Sequence, residues 1–192
     1  DLVRARSVQI VLLMSTGIFF FNHALNNWLP EILRRGGMDA QAAGFWASIP
    51  TAVGIGAALI VPRLAVPSLR PAILFILFAC AGGATLLIHG PAGPLLAIGL
   101  TLQGIARSSM TAVSVLVLIE MRGVGSRHVG AAGGLFFSAG EIGGVLGPLT
   151  IGSLYGLTGG FTTALNLLTG VCAALMALLW ALGRVSMIGS RP

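Results

Sequence analysis

The stretch LLAIGLTLQGIARSSMTAVSVLVLIEM, Leu95 to Met121, decides the fold. It is long enough to cross about 30 Å of hydrocarbon as a helix, which takes roughly 20 apolar residues. Near its middle stands Arg107. An arginine at the centre of a spanning helix is unfavourable by roughly 2.5 to 3.5 kcal/mol, so this side chain requires protein or water beside it. Gln103, Arg107, Thr111 and Ser114 recur at steps of four, four and three and share one helical face. That face is expected to look into a bundle interior or onto a path.

Five further runs flank this one: Val8 to Trp28, Ala42 to Val61, Pro71 to Ile88, Val129 to Tyr155 and Phe161 to Leu182, with the central span itself placed at Leu95 to Ile119. Glycine, proline and arginine clusters separate them, among them Arg34-Arg35-Gly36-Gly37 and Gly90-Pro91-Ala92-Gly93-Pro94. No stretch alternates as a barrel strand would. The expected fold is therefore an all-α integral membrane bundle of six transmembrane helices. Residues 1–7 are read as the end of a cytoplasmic linker, 8–185 as the bundle and 186–192 as a cytoplasmic tail. Without an initiator methionine the chain is read as part of something longer.

Composition agrees with a bilayer. Hydrophobic residues make up 56% of 192 positions and charged residues 8%, against about 25% in an average soluble domain. The net charge of +6 comes from loop arginines and forms no concentrated basic face for nucleic acid. No lysine is present, which removes a Walker A lysine and Schiff-base chemistry. Cys80 and Cys172 lie inside apolar runs without partners at zinc-ligand spacing. Neither a His-Glu-x-x-His motif nor a Gly-x-Ser-x-Gly turn occurs, so no enzyme, metal or cofactor is expected. Arg4, Arg6, Arg63, Arg70, Arg122, Arg127, Arg184 and Arg191 fall on one side and only Arg34 and Arg35 on the other, which puts both termini in the cytoplasm. Arginine without lysine, with abundant Ala and Gly, suggests bacterial coding, and a bacterial inner membrane is the expected location.

Polarity divides the segments. The third and sixth are plain and are expected to face lipid nearly all round; the first, second, fourth and fifth carry polar groups, an order that suggests two inverted three-helix repeats. In the first, Ser15, Asn22 and Asn26 share a face, with Thr16, His23 and Asn27 one position round. Asparagine is a poor helix former, so this cluster before Trp28-Leu29-Pro30 predicts unwinding or a kink beside water. Interhelical hydrogen bonding, worth roughly 0.6 to 2 kcal/mol per contact, is the other reading. His23 either relays a proton or rests neutral against a neighbour. The fifth segment has nine glycines between Gly130 and Gly156, with pairs four apart that permit close helix approach. Glu141 lies there at about the depth of Arg107. The two either neutralise each other, or Arg107 binds an anionic solute group while Glu141 pairs with it or takes a proton when the site is empty.

Together these residues resemble the C-terminal half, helices seven to twelve, of a major facilitator superfamily transporter. Gly134, Gly143, Gly147-Pro148 and Gly152 follow the glycine pattern called the antiporter motif, from which Ile151 departs. The motif is usually described in the fifth helix; here it falls in the eleventh. Arg63 and Arg70 match the basic loop between helices eight and nine, whose usual acidic residue is missing. Asn26-Asn27-Trp28-Leu29-Pro30-Glu31, Gly37-Met38 and Ala43-Gly44 look like the cyanate permease-like group. The resemblance implies alternating access, with a lining that includes Asn22, His23, Asn26, Ser48, Thr51, Gln103, Arg107 and Glu141.

The expected function is a secondary transporter of a small anionic solute, with proton symport through Glu141 or His23, working with lipid and an N-terminal six-helix half. Competing classes are a transporter-fold sensor without flux and a channel-like assembly subunit.

Overall fold

A chain in hydrocarbon must satisfy its backbone internally, and all six apolar runs do so as helices. The computed structural model describes residues 5–90, 92–121 and 124–188, apart from the side chains of 125–127 and 186–188. Its elements are α1 (Arg6–Arg35), α2 (Ala40–Leu64), α3 (Arg70–Leu87), α4 (Pro94–Ile119), α5 (Gly125–Thr158) and α6 (Thr162–Ile188), joined by short loops. Each is long and apolar enough to cross a membrane. Arg4, Arg122, Arg191, the Arg127 side chain and most of the predicted linker and tail lie outside the described residues.

Local chemistry places the boundaries. Asp39 caps α2 by accepting the Ala42 N–H at 2.7 Å. Pro71 and Pro94 occupy first-turn positions of α3 and α4, where a missing N–H costs nothing. Gly159 ends α5 in the left-handed region at φ 71°, which glycine enters without a Cβ clash.

The predicted unwinding of the first segment does not occur: α1 runs unbroken through the asparagines and Pro30. Asn27 donates to the His23 carbonyl at 2.9 Å, so its amide is satisfied along the helix. Pro148 is likewise carried within α5.

Helix α1 is central and packs most extensively on α5, also meeting α6, α2 and α4; α4 packs on α2 and α3, and α3 on α6. Their shared core includes Met14, Ile18, Phe21, Phe78, Leu100, Met110 and Phe136. The plain segments correct the expectation that they face lipid all round. Within the bundle α3 and α6 bury Leu74, Phe78, Leu168 and Cys172, and Thr85 and Thr169 share a 2.7 Å hydroxyl bond. Apolar helices pack as well against each other as against acyl chains, and small residues such as Gly82, beside Cys172, let them close. The more open faces belong to α2 and α5, which expose Phe45, Ile55, Leu59, Ile60, Ile142, Val145 and Leu149.

Two seams hold the bundle around its pocket. On the α1–α5 seam, Cβ atoms at Gly143 and Gly147 would strike the Thr16 and Phe20 carbonyls, while Gly140 and Gly152 pack on Phe19 and Trp28. Three α1 side chains cross this seam to backbone acceptors: Ser15 to Phe136 at 2.7 Å, Thr16 to Ala139 at 2.9 Å and Trp28 Nε1 to Pro148 at 3.0 Å. On the α2–α4 seam, Gly104 lies against the Pro50 backbone and Gly54 against the Gly104 carbonyl. At one end of the bundle buried Arg70 pairs with Glu120 and donates to the Ala65 and Leu116 carbonyls at 2.8 and 3.3 Å.

Candidate functional site

The close α2–α4 approach leaves room on the side facing α1. There a cavity of about 420 Å³ is walled by Phe19, Asn22 and His23 of α1, by Pro50, Thr51, Gly54, Ile55 and Ala58 of α2, and by Gly104, Arg107, Ser108 and Thr111 of α4. Small residues on the two crossing backbones form one wall, and Phe19, Ile55 and Ala58 make much of the remainder apolar. The α4 contribution follows steps of three, one and three, a helical stripe that brings Arg107 and two hydroxyls to one opening.

Arg107 is half-buried in this wall. Among the described residues the ion pairs join Arg34 and Arg35 to Glu31, at 2.7 and 3.1 Å, and Arg70 to Glu120. Neither Arg107 nor Glu141 belongs to one. The two candidates for mutual neutralisation are not paired, and among the described residues no carboxylate lies within 4 Å of the guanidinium. Its backbone carbonyl accepts a 3.4 Å bond from Asn22 Nδ2, while Asn22 Oδ1 is buried without a donor.

His23 Nδ1 lies 3.0 Å from the Phe19 carbonyl, and its ring stacks on Phe19 with centroids 5.6 Å apart. Glu141 is exposed on α5, away from the pocket wall, but close to His23. A Cβ at Gly144 would stand 3.3 Å from both Glu141 Oε2 and His23 Nδ1.

Of the predicted site residues, the structure brings Asn22, His23, Thr51, Arg107 and Thr111 together. Gln103 is fully buried in the core with both amide atoms unpartnered, and the Ser114 hydroxyl is in the same state. Asn26 is exposed outside the pocket, and exposed Ser48 bonds to the Phe45 carbonyl at 2.6 Å. Of the predicted gating glycines, Gly143, Gly147 and Gly152 pack on α1, Gly134 meets nothing within 4 Å, and Pro148 supplies the acceptor for Trp28. Ser108 and Gly144 were missed. The first is legible as the residue four after Gly104 on the Arg107 side of the helix; the second only from the α1–α5 contact.

No family model matches this sequence. It is 28% identical over 161 residues to a Bacillus subtilis (strain 168) protein named "Uncharacterized transporter YycB", covering 83% of this chain and 40% of that protein. It is 31% identical over 154 residues to an Acinetobacter baumannii protein named "Quinolone resistance transporter", covering 77% of this chain and 34% of that protein. The chain thus spans less than half the length of these curated relatives. Both relatives carry transporter names, and this chain is a multi-pass membrane protein of six apolar helices.

Proposed function

We propose that this chain forms one half of a secondary membrane transporter of the major facilitator type, carrying a small anionic solute by alternating access through the α1–α2–α4 pocket. One observation carries the reading: Arg107 stands at bilayer depth in a pocket wall and has no ion-pair partner among the described residues. A charge so placed is costly, and an anionic solute group can offset that cost by taking the guanidinium's forked donors. Transporter names on relatives aligned over most of the chain support the general role.

In this reading a six-helix N-terminal half supplies the opposite wall and covers the open faces of α2 and α5. The fraction of the relatives' length spanned is in keeping with such a division. Both termini are cytoplasmic in a bacterial inner membrane, following the arginine bias. Asn22, His23, Thr51, Ser108 and Thr111 surround the solute, and proton symport runs through His23 or Glu141.

The test is uptake of isotopically labelled acetate, benzoate, nitrate and cyanate by the full-length protein in proteoliposomes. Arg107→Gln, verified as folded, is expected to lose uptake of the carried anion by at least about 100-fold, consistent with roughly 3 kcal/mol for a desolvated charge-assisted contact. Arg107→Lys should recover only part, because a point charge cannot reproduce the planar fork. Undiminished uptake by the folded glutamine variant would remove Arg107 from the site.

A further inference from the structure

We propose that His23 is the proton carrier of the pocket, that its Nε2 is the atom that takes the proton, and that Glu141 holds the resulting imidazolium across Gly144. The inference rests on the anion-carrier reading for its second half, but its first half concerns the ring alone.

A carbonyl oxygen can only accept, so the 3.0 Å contact between His23 Nδ1 and the Phe19 carbonyl fixes the hydrogen on Nδ1. The neutral ring then carries its lone pair on Nε2, which has no partner among the described residues. His23 also forms part of the pocket wall that Arg107 lines. Imidazole is the side chain whose ordinary charge change falls between about pH 5 and 8.

The surroundings suit the charged ring. Phe19 presents a stacked aromatic face at 5.6 Å, and aromatic faces attract cations. Glu141 Oε2 and His23 Nδ1 each lie 3.3 Å from where a Cβ on Gly144 would stand. A methyl there would press on both the carboxylate and the ring, so glycine suits the position. The charged groups around the ring are Arg107 of α4, in the same pocket wall, and Glu141 of α5, beside Gly144. Helices α2 and α6 bring no titratable group to the described pocket wall.

An anion on Arg107 brings negative charge into the cavity whose wall His23 shares, so anion and proton assist each other's binding. By linkage the assistance is reciprocal. Neutral His23 gains one proton at Nε2 from the side to which the pocket is open, and the proton leaves from Nε2 on the other side. One proton with one monoanion makes the loaded pocket no more charged than the empty one.

Full-length protein with ¹⁵N-labelled histidine, in lipid nanodiscs, tests both halves. The ring signals of His23 are identified by their loss in His23→Asn, whose amide can still donate to the Phe19 carbonyl. The expected result is a neutral Nδ1–H ring that protonates at Nε2, with a titration displaced to lower pH in Glu141→Gln. A neutral Nε2–H ring, or a titration indifferent to Glu141→Gln, overturns the proposal whether or not an anion is found.

Binding of benzoate, acetate and nitrate is then measured at about pH 5.5 and about pH 8. The affinity ratio is expected to be roughly ten- to hundredfold in favour of acid, within the usual range of coupling, and to collapse toward one in His23→Asn and His23→Gln whatever their absolute affinities. A ratio that survives in both variants overturns the proposal. Binding that survives Arg107→Gln overturns the anion-carrier reading instead. If no anion binds, that reading fails and the ring titration alone decides the role of His23.

Discussion

A guanidinium and an amide that find no partner among the described residues stand one turn apart on α4, and they invite opposite substitutions. Arg107 borders the pocket, whereas Gln103 is enclosed in the core with neither amide atom satisfied. An unmet buried polar group costs about 1 to 3 kcal/mol, so Gln103→Met is expected to stabilise the protein by about that amount, read as a higher unfolding temperature in detergent. Lower stability, or lost uptake at unchanged stability, would show that the amide has a partner in the working molecule. Grouping Gln103, Arg107, Thr111 and Ser114 on one face was sound as geometry, since they span a narrow arc. What the pattern could not tell was which side of the arc faces the cavity. The pocket lies toward Gly104 and Ser108, so Thr111 at the near edge of the arc and Arg107 next to it line the wall, while Gln103 and Ser114 at the far side are buried in the core.

Glycines four apart signal close packing between helices without saying which of them touch. The bilayer-length runs and their breakers gave all six helices, because apolar length is a strong signal, although α1 runs seven residues past Trp28 and α6 six past Leu182. Contacts separate the glycines into two kinds. Gly143→Ala would drive a methyl into the Thr16 carbonyl, and is expected to destabilise by about 1 to 3 kcal/mol. Gly134→Ala meets nothing and relieves the helix of a flexible residue, so it should be neutral or stabilising by up to about 1 kcal/mol. Thermal unfolding of the two variants side by side checks the division; equal losses would contradict it. The continuity of α1 was illegible for a related reason. Helix propensity counts each asparagine as a cost, and only the fold shows Asn27 spending its amide on its own helix.

Across the whole molecule, most charge lies at the helix ends, and an ion pair between buried Arg70 and exposed Glu120 ties the start of α3 to the end of α4. Glu120→Gln leaves Arg70 with two carbonyl acceptors and no counter-charge, and is expected to cost about 1 to 2 kcal/mol, less than a fully buried pair because Glu120 is partly exposed. Chemical unfolding at low and high salt measures it. If one proton accompanies one monoanion, uptake should also be insensitive to a potential clamped across the vesicle, and a rate that rises with potential would exclude that stoichiometry. The Arg70–Glu120 pair was hidden from sequence because the acid lies fifty residues away, just past the end of another helix. The α1–α5 seam sets a different rule for how this chain can drift over generations. Its three crossing bonds take donors from the side chains of Ser15, Thr16 and Trp28, but acceptors from the backbone of Phe136, Ala139 and Pro148. Every amino acid has a carbonyl oxygen. The bonds therefore constrain α1 to donor-bearing residues while leaving α5 free to change identity at the acceptor positions wherever packing permits, so substitutions should accumulate unevenly on the two sides of one contact.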